Sequence, residues 1–125
     1  MINKNKLEEC HPKLKELATV LERLAKDKYN SEVIVTSGAR DGGGKSWHDK
    51  KRGAVAIDFV FKGLHTFAIL SELNRLCEEN KGIWGEVTEL EVCAGYSYRN
   101  KRYQNHIHMA LGNEGYLQKF TGKYV

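Results

Sequence analysis

Apolar residues recur along the first third of the chain at helical spacing. In "HPKLKELATVLERLAKDKYN", Leu14, Leu17, Leu21 and Leu24 form one stripe, which predicts an amphipathic helix from about Pro12 to Lys28. Pro12 suits its first turn, where no backbone donor is needed. "SEVIVTSG" then reads as a short buried strand closed by Gly38, and "GARDGGGKSWHDKKRG" as a glycine-rich loop without apolar periodicity. "AVAIDFVFK" predicts a second strand. "LHTFAILSELNRLCEEN" predicts a second helix, with Phe67, Leu70, Leu73 and Leu76 on its buried side. One or two strands are expected around Gly85 in "GIWGEVTELEVC", a polar connection in "YSYRNKRYQ", and a last strand in "NHIHMAL".

This order predicts an α+β fold, a mostly antiparallel sheet with helices on one face. Alternation along two strands sharpens the picture. Val55, Ile57, Phe59 and Phe61 point one way, and Ala54, Ala56, Asp58 and Val60 the other. In the last strand Ile107, Met109 and Leu111 share one face, and His106, His108 and Ala110 the opposite one. Each strand therefore has a bulky apolar side for the helices. Its other side sets small residues around acids or imidazoles and leaves room for a site.

Composition narrows the class. With 125 residues, 41% apolar and 29% charged, the chain fits one globular domain, 1–125, with a single core. The net charge of +4 is mild, and favours approach to an anionic polymer without being a nucleic-acid signature. Three cysteines, Cys10, Cys77 and Cys93, form no CxxC pair, so reduced thiols are expected. No apolar signal region opens the chain and no run reaches membrane-span length. Synthesis in the cytoplasm and a monomeric state are the expectations.

Asp58 is the residue most in need of an explanation, because a carboxylate in an apolar strand must be matched by a cation or donors. His48, His106 and His108 are the available imidazoles. Zinc accepts imidazole nitrogen and carboxylate oxygen, so two histidines and an aspartate leave a position open for water. His48 can reach Asp58 only if "DKKRG" reverses the chain. His11 and His65, at helix starts, are expected to be surface or capping residues, and the spacing of Cys93 does not favour it as a ligand.

The order "TSGAR", "SWH", "AID", "HIH" resembles the M15 group of zinc peptidases that cleave peptidoglycan, which share the fold of the Hedgehog signalling domain and D-Ala-D-Ala peptidases. The resemblance runs over roughly residues 11 to 111. It implies His48, Asp58 and His108 as zinc ligands, and His106 beside the reacting group as base or oxyanion stabiliser. It also implies that Arg40 and Ser46 lie on the substrate side, Arg40 holding a carboxylate or carbonyl. Nine residues separate His48 from Asp58, more than in the family's motif, and Ala54 stands where the family has glycine. A longer hairpin tip accounts for the spacing at small entropic cost.

The activity implied is metal-assisted hydrolysis of amide bonds in peptidoglycan stem peptides. Endopeptidase action of the phage-lysin kind, on the wall after release by another protein, is favoured over carboxypeptidase action. Glu89 and Glu91 are secondary candidates for the proton acceptor, and Trp47 could stack on substrate or pack the loop. Two rival readings are a non-catalytic zinc domain of the same fold and a basic domain binding nucleic acid through "YSYRNKRYQ". Asp58 and the modest charge argue against the last, and no nucleic-acid partner is expected.

Overall fold

The computed structural model describes residues 1–44, 46–97 and 102–111. Among these, the helices are α1 (Pro12–Tyr29) and α2 (Thr66–Glu79), and the strands are β1 (Val33–Ser37), β2 (Ala56–Phe61), β3 (Val87–Ser97) and β4 (Arg102–Leu111). Short 3-10 turns occupy Lys4–Leu7, Lys50–Arg52 and Gly82–Glu86. The strands form one sheet in the order β1-β2-β4-β3, and all three pairings are antiparallel. The α+β class is thus observed. No described helix is long and apolar enough to cross a membrane.

Helix α1 starts where the sequence places its cap. Pro12 takes the first turn, and the His11 Nδ1 accepts the Lys13 N–H at 3.1 Å. Leu14, Leu17 and Leu21 are fully buried, each contributing about 1.5–3 kcal/mol through removal from water. They join Val33, Val35, Ile57, Phe59, Ile107 and Met109 in a core cluster of the described residues.

Helix α2 buries a different stripe from the one expected. Ile69 and Leu73 are buried and Leu76 packs against the core, whereas Phe67 is 54% exposed. The reason is angular. Steps of three residues drift by about 60° each, so Phe67, Leu70, Leu73 and Leu76 cannot share one face, while Ile69, Leu73 and Leu76 do.

Strand limits also shift. Ala54 and Val55 precede β2, and Ala54 has φ +50°, the left-handed region that glycine adopts without strain. The segment around Gly85 is a 3-10 turn followed by one long strand, β3. The expected polar connection is largely strand: β3 runs to Ser97 and β4 starts at Arg102. Residues 98–101 and 112–125 lie outside the described residues.

The N-terminal residues shape the site from behind. Ile2 makes a parallel bridge to Ile34 along the outer edge of β1. The next turn then passes so close to Gly38 that a Cβ there would sit 1.9 Å from the Lys6 carbonyl oxygen. Gly38→Ala must push that backbone away. We expect a loss of about 3 kcal/mol, high in the overpacking range, read as a lower denaturant midpoint at unchanged slope.

Candidate metal centre

The site lies on the sheet face opposite Ile57, Phe59, Ile107 and Met109. Asp58 in β2 pairs directly with His108 in β4, and Ser37 of β1 pairs with Asp58 on the other side. A bulge between Val35 and Ser37 makes Thr36 the extra residue and brings Ser37, not Thr36, level with Asp58. Ala56 and Ala110 are cross-strand partners one residue pair beyond Ile57 and Met109, and both are fully buried.

His48 arrives from the loop between β1 and β2. Its path is fixed by a backbone ladder in which the Arg40 N–H donates to the His48 carbonyl and the Lys50 N–H to the Arg40 carbonyl, each at 2.9 Å. Asp49 caps the Lys50–Arg52 turn by accepting the Lys51 N–H at 3.0 Å, and it also accepts the Gly44 N–H at 2.6 Å. Gly53, with φ +97°, ends the turn. "DKKRG" does reverse the chain. Trp47 is buried in the loop and carries the buried Arg52 guanidinium over its ring at 3.6 Å, so Trp47 packs the loop. Ser46 accepts the His48 N–H at 3.2 Å, which gives its hydroxyl a loop-shaping contact.

Three side chains converge. His48 Nε2 is 3.0 Å from Asp58 Oδ1, His108 Nδ1 is 2.9 Å from the same oxygen, and the two nitrogens are 3.2 Å apart. Ligand atoms around a tetrahedral zinc, with bonds of about 2.0–2.2 Å, are separated by about 3.3–3.6 Å, so only a slight expansion is needed. Proton bookkeeping points the same way. His48 Nδ1 faces the Gly38 carbonyl at 2.9 Å and must donate to it. Its Nε2 lone pair then faces a carboxylate oxygen, which is repulsive unless a proton or a metal cation lies between. The buried group His48, Asp58 and His108 could hold a metal ion, and its donor set suits zinc.

Around this triangle the charges are ordered. Burial works against the Asp58 carboxylate, but hydrogen bonds from His108 and His48 outweigh it and hold the group well below the usual carboxylate range. Burial likewise disfavours charge on His108. Its contacts with Asp58 and Glu89 prevail and push it up to about 9.

The second Asp58 oxygen looks outward. Arg40 Nη2 lies 3.4 Å and His106 Nε2 3.7 Å from Oδ2. Arg40 also donates to the Ser37 hydroxyl from Nε and Nη2, at 3.2 and 3.1 Å, while its side chain stays 51% exposed. Arg40 and His106 therefore flank one side of the triangle.

Glu89 and Glu91 separate. Glu89 Oε1 is 2.9 Å from His108 Nε2, whereas Glu91, directly across from His108 in register, is exposed. Two partners carry no signal in the sequence: the Gly38 carbonyl on His48 and the Ser37 hydroxyl on Arg40. "TSGAR" contains both, but nothing in its pattern assigns a carbonyl or hydroxyl to a particular side chain. Comparison of the chain with protein-family models, curated proteins and solved structures found no match.

Proposed function

We propose that the chain is a zinc-dependent peptidase of the Hedgehog and D-Ala-D-Ala peptidase fold that hydrolyses amide bonds in the peptide stems of peptidoglycan. The observation that carries the reading is the His48–Asp58–His108 triangle, flanked on its outer side by Arg40 and His106. The order of "SGAR", "SWH", "AID" and "HIH", which resembles the M15 peptidases, joins a metal-ligand set to groups suited to amide hydrolysis.

Zinc held by His48, Asp58 and His108 would polarise a carbonyl and make water nucleophilic near neutral pH. The chain's own residues supply the rest. Asp58 keeps Oδ1 toward the histidines because Arg40 engages Oδ2. The half-exposed Arg40 guanidinium binds a substrate carboxylate or carbonyl with donors that Ser37 and Asp58 have already oriented. His106, 19% exposed, would accept a proton from water and pass it to the leaving amine as the C–N bond breaks. The net charge of +4 raises the local concentration of protein at an anionic wall at low salt.

The test is digestion of purified sacculi by the zinc-loaded protein, with mass spectrometry of released fragments. New amine and carboxylate ends within the stems support the reading and separate endopeptidase from carboxypeptidase cleavage. Intact stems after digestion with a zinc-loaded, folded sample would sink it.

A further inference from the structure

We infer that Glu89 is a positioning residue that fixes which nitrogen of His108 faces the metal. The inference rests on the zinc reading of the site and goes beyond it by taking Glu89 out of the pool of proton acceptors. Both ring nitrogens of His108 have carboxylate neighbours at 2.9 Å, Asp58 at Nδ1 and Glu89 at Nε2. When Nε2–H donates to Glu89, the Nδ1 lone pair is left for a metal shared with Asp58 and His48. A carboxylate on the far nitrogen also makes the ring a stronger donor and stops it swivelling.

The position of Glu89 is built into β3. Val87 pairs with Leu111 and Glu89 with Ala110, so Thr88 is an extra, bulged residue. The Thr88 hydroxyl donates to the Ala110 carbonyl at 3.4 Å. An unbulged strand would set Thr88 opposite Ala110 and turn Glu89 to the other face. Opposite Glu89 stands the small side chain of Ala110, which leaves the long carboxylate a diagonal path to the His108 ring. Glu91, the direct cross-strand neighbour of His108, is exposed instead. The same loop logic serves the other histidine, where the Gly38 carbonyl holds His48 Nδ1 and leaves Nε2 for the metal. Each histidine thus has one nitrogen held by the protein and one presented to the centre.

Zinc affinity, measured by chelator competition on the full chain, tests this with the metal alone as probe. Glu89→Leu is expected to weaken binding by about tenfold or more, the effect of losing an outer partner of a metal-bound histidine, with Glu89→Gln in between. Glu91→Leu, which removes the same charge nearby, should change affinity by less than about threefold. In the zinc-loaded wild type, nitrogen NMR of labelled histidine should find His108 bonded through Nδ1. Equal losses in the two leucine variants would reduce Glu89 to general electrostatics, and a Glu89→Leu affinity within threefold of wild type would overturn its role outright. Zinc bound through Nε2 of His108 would do the same. A wild type that binds no zinc overturns the metal reading itself, a result distinct from the other three.

Discussion

Alanine at Asp58 or His108 is expected to abolish zinc binding and wall hydrolysis together, from about one zinc per chain in the wild type. Both residues contribute an atom to a triangle whose sides are 2.9, 3.0 and 3.2 Å. With one corner missing, two protein ligands remain. The affinity loss should then exceed the 10–100-fold typical of outer partners. Asp58→Ala also leaves His108 and Arg40 without their shared carboxylate, so circular dichroism must first show that the variant folds. Metal content by elemental analysis, beside hydrolysis on the same samples, reads the result. Zinc retained at wild-type levels in a folded Asp58→Ala protein would move the metal elsewhere and remove the basis of the proposed activity.

The same centre fixes the direction of the pH dependence. His108, raised to about 9 by its carboxylate neighbours when no metal is bound, must give up a proton from Nδ1 to become a ligand. Below that value, protons compete with zinc. Apparent affinity should fall about tenfold for each unit the pH is lowered through the neutral range, from this residue alone. Titrations at three buffered pH values measure the slope, and a flat profile would contradict the placement of His108 in the metal shell.

His106→Ala is the second large effect, and it should separate chemistry from metal binding. His106 approaches Asp58 Oδ2 at 3.7 Å and belongs to neither the triangle nor the core. Zinc content should therefore be unchanged within about twofold, while turnover drops by about a hundred- to ten-thousand-fold, the range for a lost general acid or base. Activity close to wild type would show that His106 takes no part in proton transfer. If the wild type itself proves inactive yet holds zinc, the chain is better described as a zinc-stabilised binding domain.

Alternation and spacing encode much of the fold. The stripe Leu14, Leu17, Leu21 carries its own helical period, and the Pro12 start and the His11 cap follow from local chemistry. In β2 and β4, side chains two apart must share a face, so Asp58 and the two histidines were bound to project away from Ile57, Met109 and Leu111. That the loop after Gly38 turns back at "DKKRG" was equally local, a matter of Asp49 capping and Gly53 at φ +97°. Elsewhere the pattern is ambiguous or the deciding contact is distant in the chain. Phe67 is apolar at a helix-like interval from Leu70 and Leu73, yet angular drift carries it to the solvent side.

What the sequence by itself determined about this protein is which residues could meet: strand periodicity put Asp58 and His108 on one face, and a polar, glycine-closed turn allowed His48 to return. What only the tertiary structure decided is how they meet. The bulges at Thr36 and Thr88 reset which side chains of β1 and β3 face the centre. They brought Ser37 level with Asp58 and turned Glu89, not Thr88, toward His108. Close passage of the N-terminal turn leaves no room for a Cβ at Gly38, whose carbonyl orients His48. Register and close approach arise from pairings between segments distant in the chain. A single residue inserted into one strand flips every side chain beyond it, and no local propensity encodes that choice.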